Sequence, residues 1–212
     1  MPSKKDSASL IPYPLPEQPE PLPVSHYGAP ELRRPSRAVE RIDDTIRHFI
    51  ACMIETMYAE NGIGLAAPQV GVNLQIVTIH IPESMQTEHP SASFTPQDKI
   101  IYEQMPLALI NPVISNPSTQ TDIMEEGCLS LPGLAGNVRR SLTITIEYTD
   151  LDNVTHSYTC TGMLARCLQH EIDHLNATLY IDRMDPEERR RLEPKLRRLR
   201  KQTMKELRQR SY

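Results

Sequence analysis

The sequence predicts an α+β fold in which mostly antiparallel sheets surround a central helix that carries a His-Glu-x-x-His motif. Apolar and polar residues alternate over 142–148, and residues 154–160 follow as a possible hairpin partner. Apolar residues recur every three or four positions over 39–58 and over 163–176, which is the spacing of amphipathic helices. Because strands joined by short turns pair antiparallel, these patterns favour a mixed domain around one core.

The remaining predicted elements lie between and after these two helices. Strands are predicted at 74–81, 107–114 and 119–124. Residues 82–106 are polar and contain four prolines, so they are predicted as a long surface loop. Asp185-Pro186 suits the start of a last helix, and Pro194 is expected to kink or divide it.

Length and composition are those of an ordinary globular protein. The chain has 212 residues, of which 39% are hydrophobic and 24% are charged. No apolar run is long enough to cross a bilayer, and no signal-peptide pattern follows Lys4 and Lys5. We therefore expect a cytoplasmic protein with neither a membrane nor DNA among its partners.

Three regions are predicted along the chain. Residues 1–24 contain seven prolines and are expected to form a disordered or polyproline-like arm. Residues 25–184 are expected to form the catalytic domain. Residues 185–212 are expected to form a basic C-terminal helix or tail.

Charge is distributed unevenly between the body and this tail. Residues 183–212 hold 12 Lys or Arg and 5 Asp or Glu, a net charge of +7, and the whole chain has −4, so the rest carries −11. A basic tail on an acidic body is typical of contact with a polyanion, but a solvated helix face without a partner has the same pattern.

The strongest chemical signal is His170-Glu171-Ile172-Asp173-His174. On a helix, residues four apart share a face, so both imidazoles could bind one metal ion with Glu171 beside it. Zinc-type sites of this kind need a third protein ligand and keep a fourth position open. The metzincin position for that ligand is occupied by Tyr180. Downstream carboxylates remain as candidates at Glu187 and Glu188, and upstream Cys128 offers a thiolate.

Three motifs then occur in a specific order: GIGLAAPQ at 62–69, EGCLS at 126–130 and QHEIDHL at 169–175. Together they resemble the signature motifs of the peptide deformylase family, and the resemblance covers roughly residues 26–184. It implies removal of the formyl group from N-formylmethionine of nascent polypeptides. It also implies metal ligation by Cys128, His170 and His174, with Fe²⁺ in the cell and tolerance of Zn²⁺, Ni²⁺ or Co²⁺.

The resemblance also implies roles for the other motif residues. Glu171 would take a proton from the attacking water and deliver it to the departing amine. The side-chain amide of Gln69 and the backbone N–H of Leu129 would stabilise negative charge on the formyl oxygen. The residues predicted to bind substrate are Gly62, Ile63, Gly64, Leu65, Met124, Glu126, Gly127, Met163, Arg166 and Cys167. Four of these are candidates by residue type for an apolar pocket around the methionine side chain, and the same residue types are equally typical of a protein core: Met124, Met163, Arg166 and Cys167.

Some positions depart from the family pattern or have a structural interpretation. Ala177 stands where the family has a helix-ending glycine, and Arg139 stands where it has proline. Glu126 is expected to pair with Arg140, and Asp173 is expected to be a supporting rather than a catalytic acid.

Three functions are compatible with these features. A deformylase working at the ribosome would give the basic tail a partner in ribosomal RNA. A zinc peptidase would use a third ligand other than Cys128. A catalytically silent peptide-binding or ribosome-binding protein would be expected to lack Glu171 or a metal ligand, and this chain has all four residues.

Overall fold

The chain folds as the predicted α+β domain with antiparallel sheets. A computed structural model describes residues 10–86 and 94–210. Its helices are α1 (Asp44–Ala59), α2 (Glu83–Gln86), α3 (Pro96–Glu103), α4 (Gly162–Leu175) and α5 (Pro186–Arg210). Its strands are β1 (Gly64–Ala66), β2 (Ile76–Ile79), β3 (Leu107–Ser115), β4 (Thr121–Gly127), β5 (Ala135–Ser141), β6 (Thr143–Thr149) and β7 (Thr155–Thr161).

The strands form two antiparallel sheets. A five-stranded sheet has the order β1-β2-β3-β6-β7, and β4 pairs with β5 in a separate hairpin. Successive side chains of a strand point to opposite faces, so Ile76 of β2 joins a core with α1 whereas Val77 joins a core with α4. The central sheet therefore lies between the two amphipathic helices.

Helix α1 begins five residues later than the periodicity predicts. The apolar pattern starts at Val39, but the helix starts at Asp44, because the Asp43 side chain accepts a hydrogen bond from the Ile46 N–H and caps it. Val39 is held differently: its N–H donates to the Asn111 side chain at 2.8 Å.

The prediction of a surface loop over 82–106 is wrong for α3. Thr95, Pro96 and Asp98 form a helix start with a reciprocal cap, which the proline content obscured. Ile101 and Tyr102 are buried against the sheet. Residues 87–93 of the predicted loop lie outside the described residues.

Strand β5 was not predicted from the sequence. It contains Gly136 and Asn137, which have low strand propensity, and two charged arginines. Its buried positions are Gly136, Val138 and Arg140, so the alternation is present but the inward residues are not uniformly apolar.

The N-terminal arm differs from the expectation of disorder where it is described. Residues 10–24 lie against α1, and Ile11 and Leu22 are buried in its core. Burial of these apolar side chains anchors the arm to the domain, and the high proline content gave no indication of it. Residues 1–9 lie outside the described part of the chain.

Helix α5 packs on the β4–β5 hairpin through one face. Leu196 and Thr203 are buried, and the Glu188 carboxylate accepts from the Asn137 N–H at 3.1 Å. The helix runs through Pro194 as a single element, so the predicted division does not occur. Within the described ranges, no helix combines the length and apolarity needed to cross a membrane.

Candidate metal centre and active site

Three side chains that could bind a metal converge between β4 and α4. Cys128 follows directly after β4, and His170 and His174 lie one turn apart on α4. Their ligand atoms lie within 4.8 Å of one another, and Cys128 Sγ is 3.3 Å from His174 Nε2. An ion about 2.0–2.3 Å from each atom would fit such a cluster. One thiolate and two imidazoles are a typical donor set for a borderline divalent metal.

Glu126 orients the first histidine. Its Oε2 lies 2.9 Å from His170 Nδ1, and its two oxygens also accept hydrogen bonds from Arg140 and Arg166. Burial by itself would raise the pKa of Glu126, but the hydrogen bonds from His170 and Arg140 hold it well below its usual range. An ionised carboxylate only accepts, so His170 donates from Nδ1 and its Nε2 is left for the metal.

Asp173 extends this charged network away from the ligands. Its carboxylate forms ion pairs with Arg140 and, at 2.5 Å, with Arg183. The expected pair between Glu126 and Arg140 is present at 2.9 Å. The buried arginine is therefore balanced on both sides, as a buried charge must be.

Glu171 lies on α4 next to His170 and is 5% exposed. Burial raises its pKa to about 7. Its Oε2 has no hydrogen-bond partner within the described part of the chain. A Cβ added to Gly64 would lie 2.5 Å from Glu171 Oε1, so only glycine leaves room for this carboxyl group.

Gln69 presents its amide to the same site. Its Oε1 accepts from the Ala66 N–H at 2.8 Å, which fixes the side chain at the end of β1. Its Nε2 then lies 3.5 Å from Cys128 Sγ and 3.4 Å from Ser130 Oγ. The donor end of the amide therefore faces the ligand cluster.

A cavity of about 650 Å³ opens onto these groups. His170 and Glu171 line it together with Gln69, Cys128 and Leu129. A cleft of this size can hold several residues of an extended peptide.

Comparison with known proteins agrees with this geometry. The family model for polypeptide deformylases matches residues 21–190. The chain belongs to the peptide deformylase family. It is 42% identical over 175 residues to the peptide deformylase of Chlorobaculum tepidum, covering 82% of this chain and 86% of that one. It is 40% identical over 165 residues to the peptide deformylase of Thermosynechococcus vestitus, covering 78% of this chain and 79% of that one.

Solved peptide deformylases have the same fold. The enzyme from Ehrlichia chaffeensis superposes with a TM-score of 0.73 at 32% identity, over 87% of this chain and 99% of that chain. The enzyme from Synechococcus elongatus, solved in complex with actinonin, superposes with a TM-score of 0.69 at 38% identity. The match covers 84% of this chain and 89% of that chain. Peptide deformylases are metal-dependent hydrolases, and this chain removes the N-formyl group from N-formylmethionine of nascent polypeptides and releases formate.

Most residues that were predicted to bind substrate line the cavity: Gly62, Ile63, Gly64, Glu126, Gly127, Met163, Arg166 and Cys167. Leu65 and Met124 are not among its lining residues. Leu65 is fully buried and points into the core with α1, because strand alternation turns it away from the site. Met124 lies two residues before Glu126 on β4, about 7 Å further along the strand.

Other residues of the cavity were not predicted. They are His26, Glu60, Asn61, Met85, Glu125, Leu131, Pro132, Gly133 and Leu134. Residues 131–134 directly follow the EGCLS motif and could have been found from that proximity. His26 and Met85 come from distant segments, and no local pattern marks them.

Neither the downstream carboxylates Glu187 and Glu188 nor Tyr180, at the metzincin position, joins the cluster within the described residues. Tyr180 stacks against the His170 ring with centroids 6.2 Å apart, and Glu188 is bonded to Asn137. Among the described residues, the only Cys, His, Asp and Glu group placed to hold an ion contains Cys128 and the two histidines.

Proposed function

We propose that Cys128, His170 and His174 are the metal ligands of this deformylase and that the ion in the cell is Fe²⁺. The convergence of one thiol and two imidazoles beside a buried carboxyl group carries the proposal. When bound there, a divalent ion would supply Lewis acidity and lower the pKa of a coordinated water.

Glu171 is the proton carrier of the proposal. Its buried carboxyl group lies beside His170 and faces Gly64. A carboxyl group with a pKa near 7 can accept a proton from water and return it to the amine as the C–N bond of the formamide breaks. Because one group performs both transfers, its removal should block turnover without removing a metal ligand.

Gln69 and Leu129 are the proposed donors to the formyl oxygen. Negative charge develops on that oxygen as water adds to the formyl carbon, and fixed donors stabilise it. The position of Gln69 Nε2 near Cys128 Sγ supports the role of Gln69. The role of Leu129 is supported by its place directly after the proposed ligand Cys128 and in the lining of the cavity.

Formate release from a formyl-Met peptide tests the catalytic assignment after purification without oxygen. Glu171→Gln should retain stoichiometric metal and lose activity by about 10²–10⁴-fold. Cys128→Ala should lose the metal. Metal analysis of the protein purified directly from cells should find iron in excess of zinc, nickel and cobalt. Full metal content in Cys128→Ala would overturn the ligand assignment.

The second part of the proposal is that the enzyme associates with ribosomes in the cytoplasm. Helix α5 buries Leu196. Among its side chains that the structure describes, nine basic ones are exposed: Arg190, Arg191, Lys195, Arg197, Arg198, Arg200, Lys201, Lys205 and Arg208. A cationic surface of this kind suits the phosphates of ribosomal RNA.

Sedimentation with ribosomes at several salt concentrations tests this association. Arg198→Glu with Lys201→Glu should weaken binding and reduce its salt dependence, while formate release from a short peptide stays unchanged. Arg41→Glu with Lys99→Glu is the matched control, since both residues are exposed and lie outside α5. Equal binding by the two variants would exclude α5 as the contact.

A further inference from the structure

The N-terminal arm is attached to α1 at two points. The Leu22 N–H donates to Thr56 Oγ1 at 2.8 Å, and His48 Nε2 lies 2.6 Å from the Pro16 carbonyl oxygen. Residues 10–20 precede the match to the deformylase family, which begins at residue 21. The contact made by Pro16 therefore lies outside the matched region, whereas the contact made by Leu22 lies inside it.

Tyr13 of the arm reaches the turn that carries Gln69. Its hydroxyl donates to the Val70 carbonyl, and its ring lies against Gly71, where an added Cβ would be 3.4 Å from Tyr13 Cε1. Val70 is the last residue of the 3-10 turn Ala67–Val70, and Gly71 leaves that turn with φ +83°. The last carbonyls of a short helix lie beyond its own hydrogen bonds and need other donors, which Tyr13 supplies here.

The same N-terminal region contacts the other side of the active site. The Ser25 N–H donates to the Gln69 carbonyl at 2.7 Å, and the Tyr27 N–H donates to the Ser130 carbonyl at 2.8 Å. Two successive carbonyls, those of Gln69 and Val70, are thus bound by residues 13–25. The Gln69 side chain projects from this backbone towards Cys128.

We propose that Tyr13 is a positioning residue for catalysis, which fixes the turn bearing Gln69 so that its amide faces the formyl oxygen. The inference rests on the proposed role of Gln69 as an oxyanion donor. Such donors act because they are preorganised, and small displacements lower the rate of the chemical step more than they weaken substrate binding. The hydroxyl of Tyr13 holds the carbonyl adjacent to Gln69, so its loss frees that end of the turn.

Tyr13→Phe is the direct test, because it removes the hydroxyl and keeps the ring on Gly71. We expect kcat for a formyl-Met peptide to fall by about 3- to 30-fold, with KM and metal content unchanged. The matched control is Thr56→Val, which removes the acceptor for Leu22 but leaves the Gln69 turn untouched. Thr56→Val should lower thermal stability and leave kcat unchanged at 25 °C.

A double-mutant cycle separates this inference from the role of Gln69 itself. Gln69→Ala should lower kcat by about 10²–10³-fold, and Tyr13→Phe should then cause no further loss in the Gln69→Ala background. If the two losses multiply, Tyr13 does not act through Gln69 and the inference fails while the role of Gln69 stands. An unchanged kcat in Gln69→Ala would overturn both.

Discussion

Glu126 is the residue on which the charges around the proposed metal ligands converge. It binds His170 Nδ1 at 2.9 Å and receives hydrogen bonds from two buried arginines. A carboxylate behind a metal-bound histidine fixes the ring and increases its basicity as a ligand. The position of His170 on α4 therefore depends on a side chain from strand β4.

Replacing Glu126 by glutamine should weaken metal binding. Gln is similar in shape but carries no charge, so we expect metal affinity to fall by about 10–100-fold. Competition between Co²⁺-loaded protein and a chelator measures this through the thiolate–cobalt absorption. Glu125→Gln is the control, since this neighbour is exposed on β4. The same affinity in both variants would argue against support of His170 by Glu126.

Gly64→Ala should displace the carboxyl group of Glu171, the proposed proton carrier. The new Cβ would lie 2.5 Å from Glu171 Oε1 and 2.8 Å from Glu171 Cδ, so the side chain must move. We expect kcat to fall by about 10-fold or more, because a shift of about 1 Å in a catalytic group can cost 10²-fold. Steady-state formate release with parallel metal analysis checks this. A normal kcat would show that Glu171 works equally well from another position.

At the scale of single elements, the end of α4 carries a conformational cost. The helix ends at Leu175, and Ala177 then adopts φ +57°, a left-handed conformation that glycine accepts without strain. The family resemblance predicts glycine at this position. The proposed ligands on α4, His170 and His174, precede the strained residue, so the departure affects the helix end alone.

Ala177→Gly should therefore stabilise the protein. Relief of the left-handed conformation is worth about 1 kcal/mol, and the greater freedom of glycine in the unfolded chain offsets part of it, which leaves roughly 0.5 kcal/mol. Denaturant unfolding measures the gain. Ala165→Gly, at a buried position in the first turn of α4, is the contrasting control and should destabilise by about 1 kcal/mol or more. A lower free energy of unfolding in Ala177→Gly would contradict the inference that the left-handed backbone of Ala177 is strained.

At the scale of the whole molecule, α5 belongs to the domain through a third apolar cluster. This cluster joins Leu196 of α5 to Val138 of β5, Tyr180 and Met184. A Cβ on Gly136 would lie 2.2 Å from Met184 Cε, which shows how closely the segment before α5 approaches β5. The basic helix is thus attached directly to the β4–β5 hairpin, whose connecting segment contains Cys128.

Leu196→Ala should loosen this attachment. Leu196 is 1% exposed, so truncation should cost about 2–5 kcal/mol of unfolding free energy. Hydrogen exchange should show faster opening in α5 and β5 than in α1. Met204→Ala is the control, because Met204 is 39% exposed and its truncation should cost under about 0.5 kcal/mol. If Leu196→Ala and Met204→Ala lowered the free energy of unfolding equally, this cluster would not be what holds α5.

The sequence was most informative where the information is local. The His-Glu-x-x-His spacing places both imidazoles on one face of any helix, and that face did meet a thiol in the structure. The surface-loop prediction for 82–106 failed because prolines suit a helix start as well as a loop, and Thr95 and Asp98 were not weighed as a cap. Strand β5 was missed because its buried Arg140 needs partners from β4 and α4.

By itself the sequence determined the α+β class, the helical and strand periods and the three motifs whose order marks the family. Each of these depends on neighbours along the chain. The tertiary structure alone decided that Tyr13 contacts Val70, that His26 and Met85 line the cavity, and that Glu126 rather than another acid supports His170. Tyr13 and Val70 are 57 positions apart, and Glu126 and His170 are 44 positions apart, so only the packing of the folded chain specifies these contacts.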